Sequence, residues 1–160
     1  VTELSKGVTT SRYWFFKLDY LLWKKWSQPD SLIPELKEID NLRIKIKNFQ
    51  FRDNRSVEHI QPRSPEGKDW ELSLSDNELP ISKIKDQFGN LALISIRSNS
   101  SYNNQLPKLK RDDFIKRSKN WGIESLKLLD AYQHDWTIEN MNKHQDEMIK
   151  ILIQEYKVDN

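Results

Sequence analysis

Apolar positions along the chain follow two different periods. Trp14, Leu18, Leu21, Leu22 and Trp26 recur at helical spacing, which predicts an amphipathic helix from about Arg12 to Trp26 with Thr10 or Ser11 as its cap. Gln28-Pro29-Asp30-Ser31 ends that helix. Residues 43–51 alternate, with Ile44 and Ile46 and then, after a shift, Phe49 and Phe51. This predicts a strand, bulged near Lys47-Asn48. Ser56 to Ile60 reads as a short extended segment stopped by Pro62, residues 63–78 as loop, and Ile81 to Phe88 as a short helix. Gly89-Asn90 is a turn signal, and Leu91 to Ser95 is a buried strand. The polar run from Arg97 to Gln105 is expected to begin a helix, with Ser98 or Asn99 near its cap. Pro107 suits a loop or the first turn of a further helix. Asp112 to Lys119 and Glu124 to Tyr132 are helical candidates separated by Gly122. The clearest helix is the last, capped by Thr137, with Ile138, Met141, Met148, Leu152 and Tyr156 on one face.

The 160 residues fit one domain, long enough for a hydrophobic core without staples. Apolar residues make up only 36% and charged residues 31%, but six Trp, six Phe and five Tyr supply bulk for burial, so the chain reads as folded. With no cysteine, disulfides and thiolate zinc sites are excluded. Any metal must be held by His, carboxylate or amide oxygen, which favours Mg²⁺ or Mn²⁺. No apolar run is long enough for a membrane span, and Val1 to Thr10 is too polar for a signal peptide, so a cytoplasmic location is expected. The opening Val fits a processed chain or the end of a longer protein. The net charge of +2 makes no case for nucleic acid by itself. Lys108, Lys110, Arg111, Lys116, Arg117 and Lys119 do cluster within twelve residues, and by themselves they read as a solvated helix face.

Three polar segments sit at the joints of a strand, loop, strand, helix order. They are Glu58-His59-Ile60-Gln61-Pro62, Gly89-Asn90-Leu91-Ala92-Leu93, and Asn99-Ser100-Ser101-Tyr102-Asn103. Asn90 and Asn99 are nine residues apart, and Asn103 follows four later. In order and spacing these segments resemble the HNH, or ββα-metal, endonucleases. They are most similar to the nuclease half of GmrSD-type modification-dependent restriction enzymes, with the strong match from about Val57 to Lys110 and little of it in the first forty residues. The resemblance implies an α+β fold: a helical segment over 1–42, a ββα-metal core over 43–110 and C-terminal helices over 111–160.

It also implies roles. His59 matches the general base and Glu58 an adjacent metal ligand. Asn99 matches the helix-borne ligand, with Asn103 one turn further along the same face. Asn90 matches the asparagine that ties the loop between the strands. A neutral imidazole can take a proton from water, and a divalent cation on Glu58 and Asn99 would stabilise the phosphate oxyanion. Beside such a site the basic cluster gains meaning, and Lys108, Lys110, Arg111, Arg63 and Arg97 become candidates for DNA backbone contact. The expected activity is Mg²⁺- or Mn²⁺-dependent cleavage or nicking of DNA in prokaryotic defence, with sequence reading left to a further recognition or NTPase domain or subunit. A nucleic-acid binding module with lost activity, and an RNase or toxin nuclease, are the competing readings. His134 and His144 lack such neighbours and are expected to be surface or packing residues.

Overall fold

The computed structural model describes residues 2–71 and 79–158, with side chains described as far as residue 155. Two short 3-10 turns lead into α1 (Arg12–Trp26), which buries Leu18, Leu21, Leu22 and Trp26 as the apolar period predicts, with Phe15 buried beside them and Trp14 half-buried. Ser11 is its cap residue but makes no capping bond with its side chain.

The segment expected to be a strand at 43–51 is instead α2 (Leu42–Lys47), followed by irregular chain. The reason lies in which residues are buried. Leu42 and Ile46, four apart, face the core, while Ile44 is 59% exposed. The Ile44–Ile46 alternation is therefore incidental, and the helical pair Leu42–Ile46 decides the element. Phe49 and Phe51 lie beyond the helix and stack edge-on, 4.9 Å between ring centroids.

β1 (Ser56–His59) pairs antiparallel with β2 (Leu91–Ile94), setting Ser56 opposite Ile94 and His59 opposite Leu91. All four residues of β2 are buried, which accounts for its unbroken apolar run. Between the strands, residues 63–71 form no helix or strand, and the remainder of the expected loop, 72–78, lies outside the described residues. α3 (Ile81–Lys85) is shorter than expected, because a 3-10 turn over Phe88–Asn90 takes the chain into β2.

α4 (Ile96–Tyr102) follows β2 directly and packs against β1. Its cap is Ser95, not Ser98 or Asn99. Ser95 Oγ accepts from the Ser98 backbone N–H at 3.1 Å, so Ser98 and Asn99 lie inside the helix. α5 (Pro107–Trp121) is one continuous helix, longer than the Asp112–Lys119 expected, with Pro107 at its first turn. Gly122, at φ +88°, ends it in a conformation that side chains disfavour. α6 (Leu126–Ala131) is capped by Ser125, and α7 (Ile138–Val158) by Thr137, whose Oγ1 accepts from the Asn140 N–H at 3.1 Å. Met141, Met148 and Leu152 form its buried stripe with Ile138 half-buried, and the Tyr156 side chain lies outside the described residues. Among the described residues, no helix is long and apolar enough to cross a membrane.

The result is an α+β arrangement with a two-stranded sheet among helices. One apolar cluster runs from Leu4, Leu36 and Ile39 through Ile60 and β2 to Leu128 and Leu152, joining all three stretches of the chain. Two buried charges fasten this core. Asp19 Oδ1, from α1, accepts the backbone N–H groups of Leu126 and Lys127 at 3.1 Å each, at the start of α6. Lys127 Nζ donates to the carbonyls of Phe88 (2.9 Å), Gly89 (3.2 Å) and Leu91 (2.6 Å). The chain of contacts therefore runs from α1 through α6 to the turn entering β2. Burial pushes Asp19 up to about 7 against those N–H groups, and pushes Lys127 down to about 7. Gly89 is required at the same turn: a Cβ there would fall 2.8 Å from the Met141 carbonyl oxygen of α7.

Replacing Lys127 by Met removes its bonds to three buried carbonyls, of which that of Phe88 keeps the Leu91 N–H, and is expected to lower stability by about 3 kcal/mol. Urea unfolding checks this through a lower midpoint at unchanged slope.

Candidate active site

Neighbouring strand residues point to opposite faces, so Glu58 and His59 enter different surroundings although adjacent in sequence. Glu58 is 4% exposed, and its Oε1 is hydrogen-bonded by the ammonium of Lys110, which is fully buried on α5. The same Nζ donates to the His59 carbonyl at 2.6 Å, closing the end of β1 against α5. Burial pushes the Glu58 carboxyl up despite Lys110, and pushes the Lys110 ammonium down despite Glu58.

His59 turns instead to Asp86, the residue ending α3, with Nε2 2.8 Å from Asp86 Oδ1. Arg63 grips the same carboxylate: Nε and Nη2 donate to Oδ1 at 3.1 and 2.9 Å, and Nη2 to Oδ2 at 2.8 Å. Burial works to raise Asp86, but the bonds from His59 and Arg63 outweigh it and hold the carboxyl below its ordinary value. Burial lowers His59 below the usual histidine value; Asp86 opposes that shift, and Arg63 and Lys110 add to it. The balance favours the neutral ring. An ionised Asp86 can only accept, so Nε2 carries the proton and Nδ1 keeps its lone pair. Nδ1 makes no hydrogen bond among the described residues. The result is a neutral, oriented base beside a half-exposed guanidinium.

Asn90 holds this arrangement together. It is fully buried, and its Oδ1 accepts from the Gln61 N–H at 2.8 Å and from Trp136 Nε1 at 2.9 Å. Its Nδ2 donates to the carbonyls of Gln61 (3.0 Å) and Lys85 (2.8 Å). One side chain thus ties the exit of β1, the end of α3 and the loop before α7. Lys85, also buried, donates to the Arg63 carbonyl at 3.0 Å and to Asp69 Oδ2 at 2.6 Å, while Gln61 Nε2 donates to Asp69 Oδ1 at 3.0 Å.

The remaining candidates scatter. Asn99 lies on α4 facing β1, but its Nδ2 donates to Ser56 Oγ at 2.6 Å, at the far end of the strand from His59. Asn103 has left the helix: it is the cap residue at φ +47° and is exposed, so it does not continue the face of Asn99. Lys108 is exposed at the first turn of α5 and lines a cleft of about 380 Å³ with Arg111 and His134. Arg97 is also exposed, and Arg63 stands on Asp86. Lys110, expected to touch DNA, is sealed inside against Glu58 and reaches no ligand. Arg111 is held by the Tyr132 carbonyl and Glu38, each at 2.8 Å. His144 is a packing residue, 2.8 Å from Asp130 and pushed down to about 4 by burial, and His134 is exposed.

These positions bear on the expected metal. Glu58 carries an ammonium, Asn99 is turned to Ser56, and Asn103 lies outside the helix. Among the described residues no three His, Asp or Glu side chains are grouped to hold a metal ion. The donors drawn from the sequence therefore do not converge into one cage in this arrangement.

The sequence pattern did not single out Asp86, Lys85, Asp69 or Trp136. The one available signal for Asp86 was its position, an acid between the two strands and four residues ahead of Asn90.

Sheet, following helix and strand-end histidine together describe a small α+β domain of the ββα kind. Comparison with family models goes further: the model for the C-terminal domain of GmrSD restriction endonucleases matches residues 2–151, and the chain belongs to that family. The match takes in the first forty residues, where the motifs carried little. No curated protein and no solved structure matches the chain.

Asn90→Ala leaves several buried groups unpaired and is expected to destabilise by about 4 kcal/mol, read as a lower melting temperature. Lys110→Met alone buries an unpaired carboxylate and is expected to cost about 3–5 kcal/mol, most of it regained when Glu58→Leu is added. Denaturant midpoints of the two singles and the double measure that coupling.

Proposed function

We propose that this chain hydrolyses DNA phosphodiester bonds with His59 as general base, Asp86 as the residue that positions it and Arg63 as the group that meets the phosphate. The reading rests on the 2.8 Å contact between His59 Nε2 and Asp86 in a chain of this family. His59 Nδ1 removes a proton from water as the oxygen attacks phosphorus, and the P–O bond opposite breaks, the leaving oxygen taking a proton from solvent. The Arg63 guanidinium, side chain 55% exposed, stands beside the ring to neutralise charge on the phosphate. Lys108 holds the flanking backbone. Family membership supports a restriction role, so the substrate is invading DNA in a prokaryotic cytoplasm, and a further domain or subunit selects the target.

Dependence on Mg²⁺ or Mn²⁺ is what the resemblance implies. Plasmid nicking with each ion and with EDTA measures it, and duplex DNA, single strands and RNA in the same assay define the substrate. Loss of cutting in His59→Ala is the expected result; cutting that survives removes His59 from the mechanism.

Because the neutral ring is the active form, the rate rises with pH through the His59 pKa, below the ordinary histidine value, and then levels. Asp86→Asn removes the negative charge that opposes the lowering of this pKa. The acid limb is expected to move to lower pH while the plateau falls about 10²-fold as the ring loses its orientation. An acid limb that moves upward contradicts the Asp86 role. Lys108→Ala is expected to weaken DNA binding and reduce its salt slope by about one.

A further inference from the structure

At the end of β1 remote from His59, the C-terminus of α5 carries Trp121, 67% exposed. Open clefts lie on both sides of it. One, about 520 Å³, is lined by Arg52, Arg97, Lys116, Arg117, Asp113 and Glu124 among others. The other, about 410 Å³, is lined by Ile44, Lys45, Phe49 and Arg52.

The charges in the first cleft are not equivalent. Arg117 is committed to Asp113, at 2.7 Å from Nε, and to the hydroxyls of Ser98 and Ser101. Glu124 is committed to the Ser95 N–H and the Ser98 hydroxyl. Arg97 and Lys116 are exposed and make no ion pair or side-chain hydrogen bond among the described residues. Arg52 donates to the Trp121 carbonyl at 3.0 Å, and Lys45 to the Lys119 carbonyl at 3.2 Å, so the backbone presenting the indole is fixed. Beyond Phe49, which lines the second cleft, the aromatic surface continues through Phe51 and Trp23 to Tyr20, with successive ring centroids 4.9 to 6.1 Å apart.

We infer that this surface binds an unpaired stretch of a DNA strand, with one base stacked on Trp121 and its flanking phosphates at Arg97, Lys116 and Arg52. Exposed aromatic rings between cations free of carboxylate partners are the arrangement that single strands select, because every base offers a π-face and every linkage a charge. A paired duplex keeps its bases inside the stack and cannot use the ring. The inference rests on the nuclease reading and names its substrate more closely: DNA that is single-stranded or locally opened away from the scissile bond.

The test uses a short single-stranded oligonucleotide carrying one 2-aminopurine, whose fluorescence falls on stacking, and the matching duplex. Wild-type protein is expected to quench the single strand and to bind it more tightly than the duplex. Trp121→Ala is expected to lose the quenching and about tenfold in affinity, while Trp121→Phe keeps most of both. Arg97→Ala with Lys116→Ala is expected to lower the salt slope, which Trp121→Ala leaves alone. Affinity and quenching unchanged in Trp121→Ala overturn the inference and leave the patch to a protein partner. Probe length is followed on a denaturing gel. Stacking on a probe that is never cut sustains this site and removes the nuclease reading; cutting with no stacking does the reverse.

Discussion

Asn90 is the side chain on which the geometry of the site depends. An amide offers two donors and two acceptor lone pairs, and buried in an apolar core it must satisfy them. Here all of its bonds go to protein partners, from Gln61, Lys85 and Trp136. Those partners flank the residues proposed for the chemistry. Gln61 lies two residues after His59 and two before Arg63, and Lys85 immediately precedes Asp86. Fixing two backbones to one amide therefore fixes the imidazole, the carboxylate and the guanidinium relative to one another. None of the three is held by a long helix: His59 ends a four-residue strand, Asp86 ends a five-residue helix, and Arg63 lies in irregular chain.

The alternation of a β-strand shapes the rest. Placing Glu58 and His59 next to each other gives the first to the interior and the second to the Asp86 pocket. The interior position demands a counter-charge, and Lys110 supplies it from α5. The buried pair is a poor source of net stability, since desolvation offsets much of its attraction. What it provides is register: the ammonium bonds both the Glu58 carboxylate and the His59 carbonyl, so the first turns of α5 can seat on β1 in one position only.

Much of this was legible in the sequence, and the limits have physical causes. β2, α1 and α7 follow from their apolar patterns, β1 from a short extended segment stopped by Pro62, and the structural tie at Asn90 from its place in the motif. The helix at Leu42–Lys47 was not legible, because in six residues a period of two joins Leu42, Ile44 and Ile46 while a spacing of four joins Leu42 and Ile46. Burial alone separates them, and burial is a property of the fold. The helix at Ile96–Tyr102 was placed late because Ser95 reads as a strand residue until its hydroxyl is seen to cap. Asp86 and Lys85 were invisible for another reason: their partners, His59 and Asp69, lie 27 and 16 residues away in sequence, and no local spacing encodes such a pairing. Lys110 looked like a surface charge because sequence gives no sign of which lysine in a basic run turns inward.

The buried ammonium of Lys127 has a consequence for how the domain assembles. A lysine stripped of water with only one or two carbonyls in reach is worse off than one left hydrated, so its three acceptors have to arrive together. Forms in which α1 and α6 have docked while the turn before β2 is still displaced are therefore unfavourable. Docking of α6 on α1 and closure of the turn before β2 are thereby coupled, because one ammonium needs both in place.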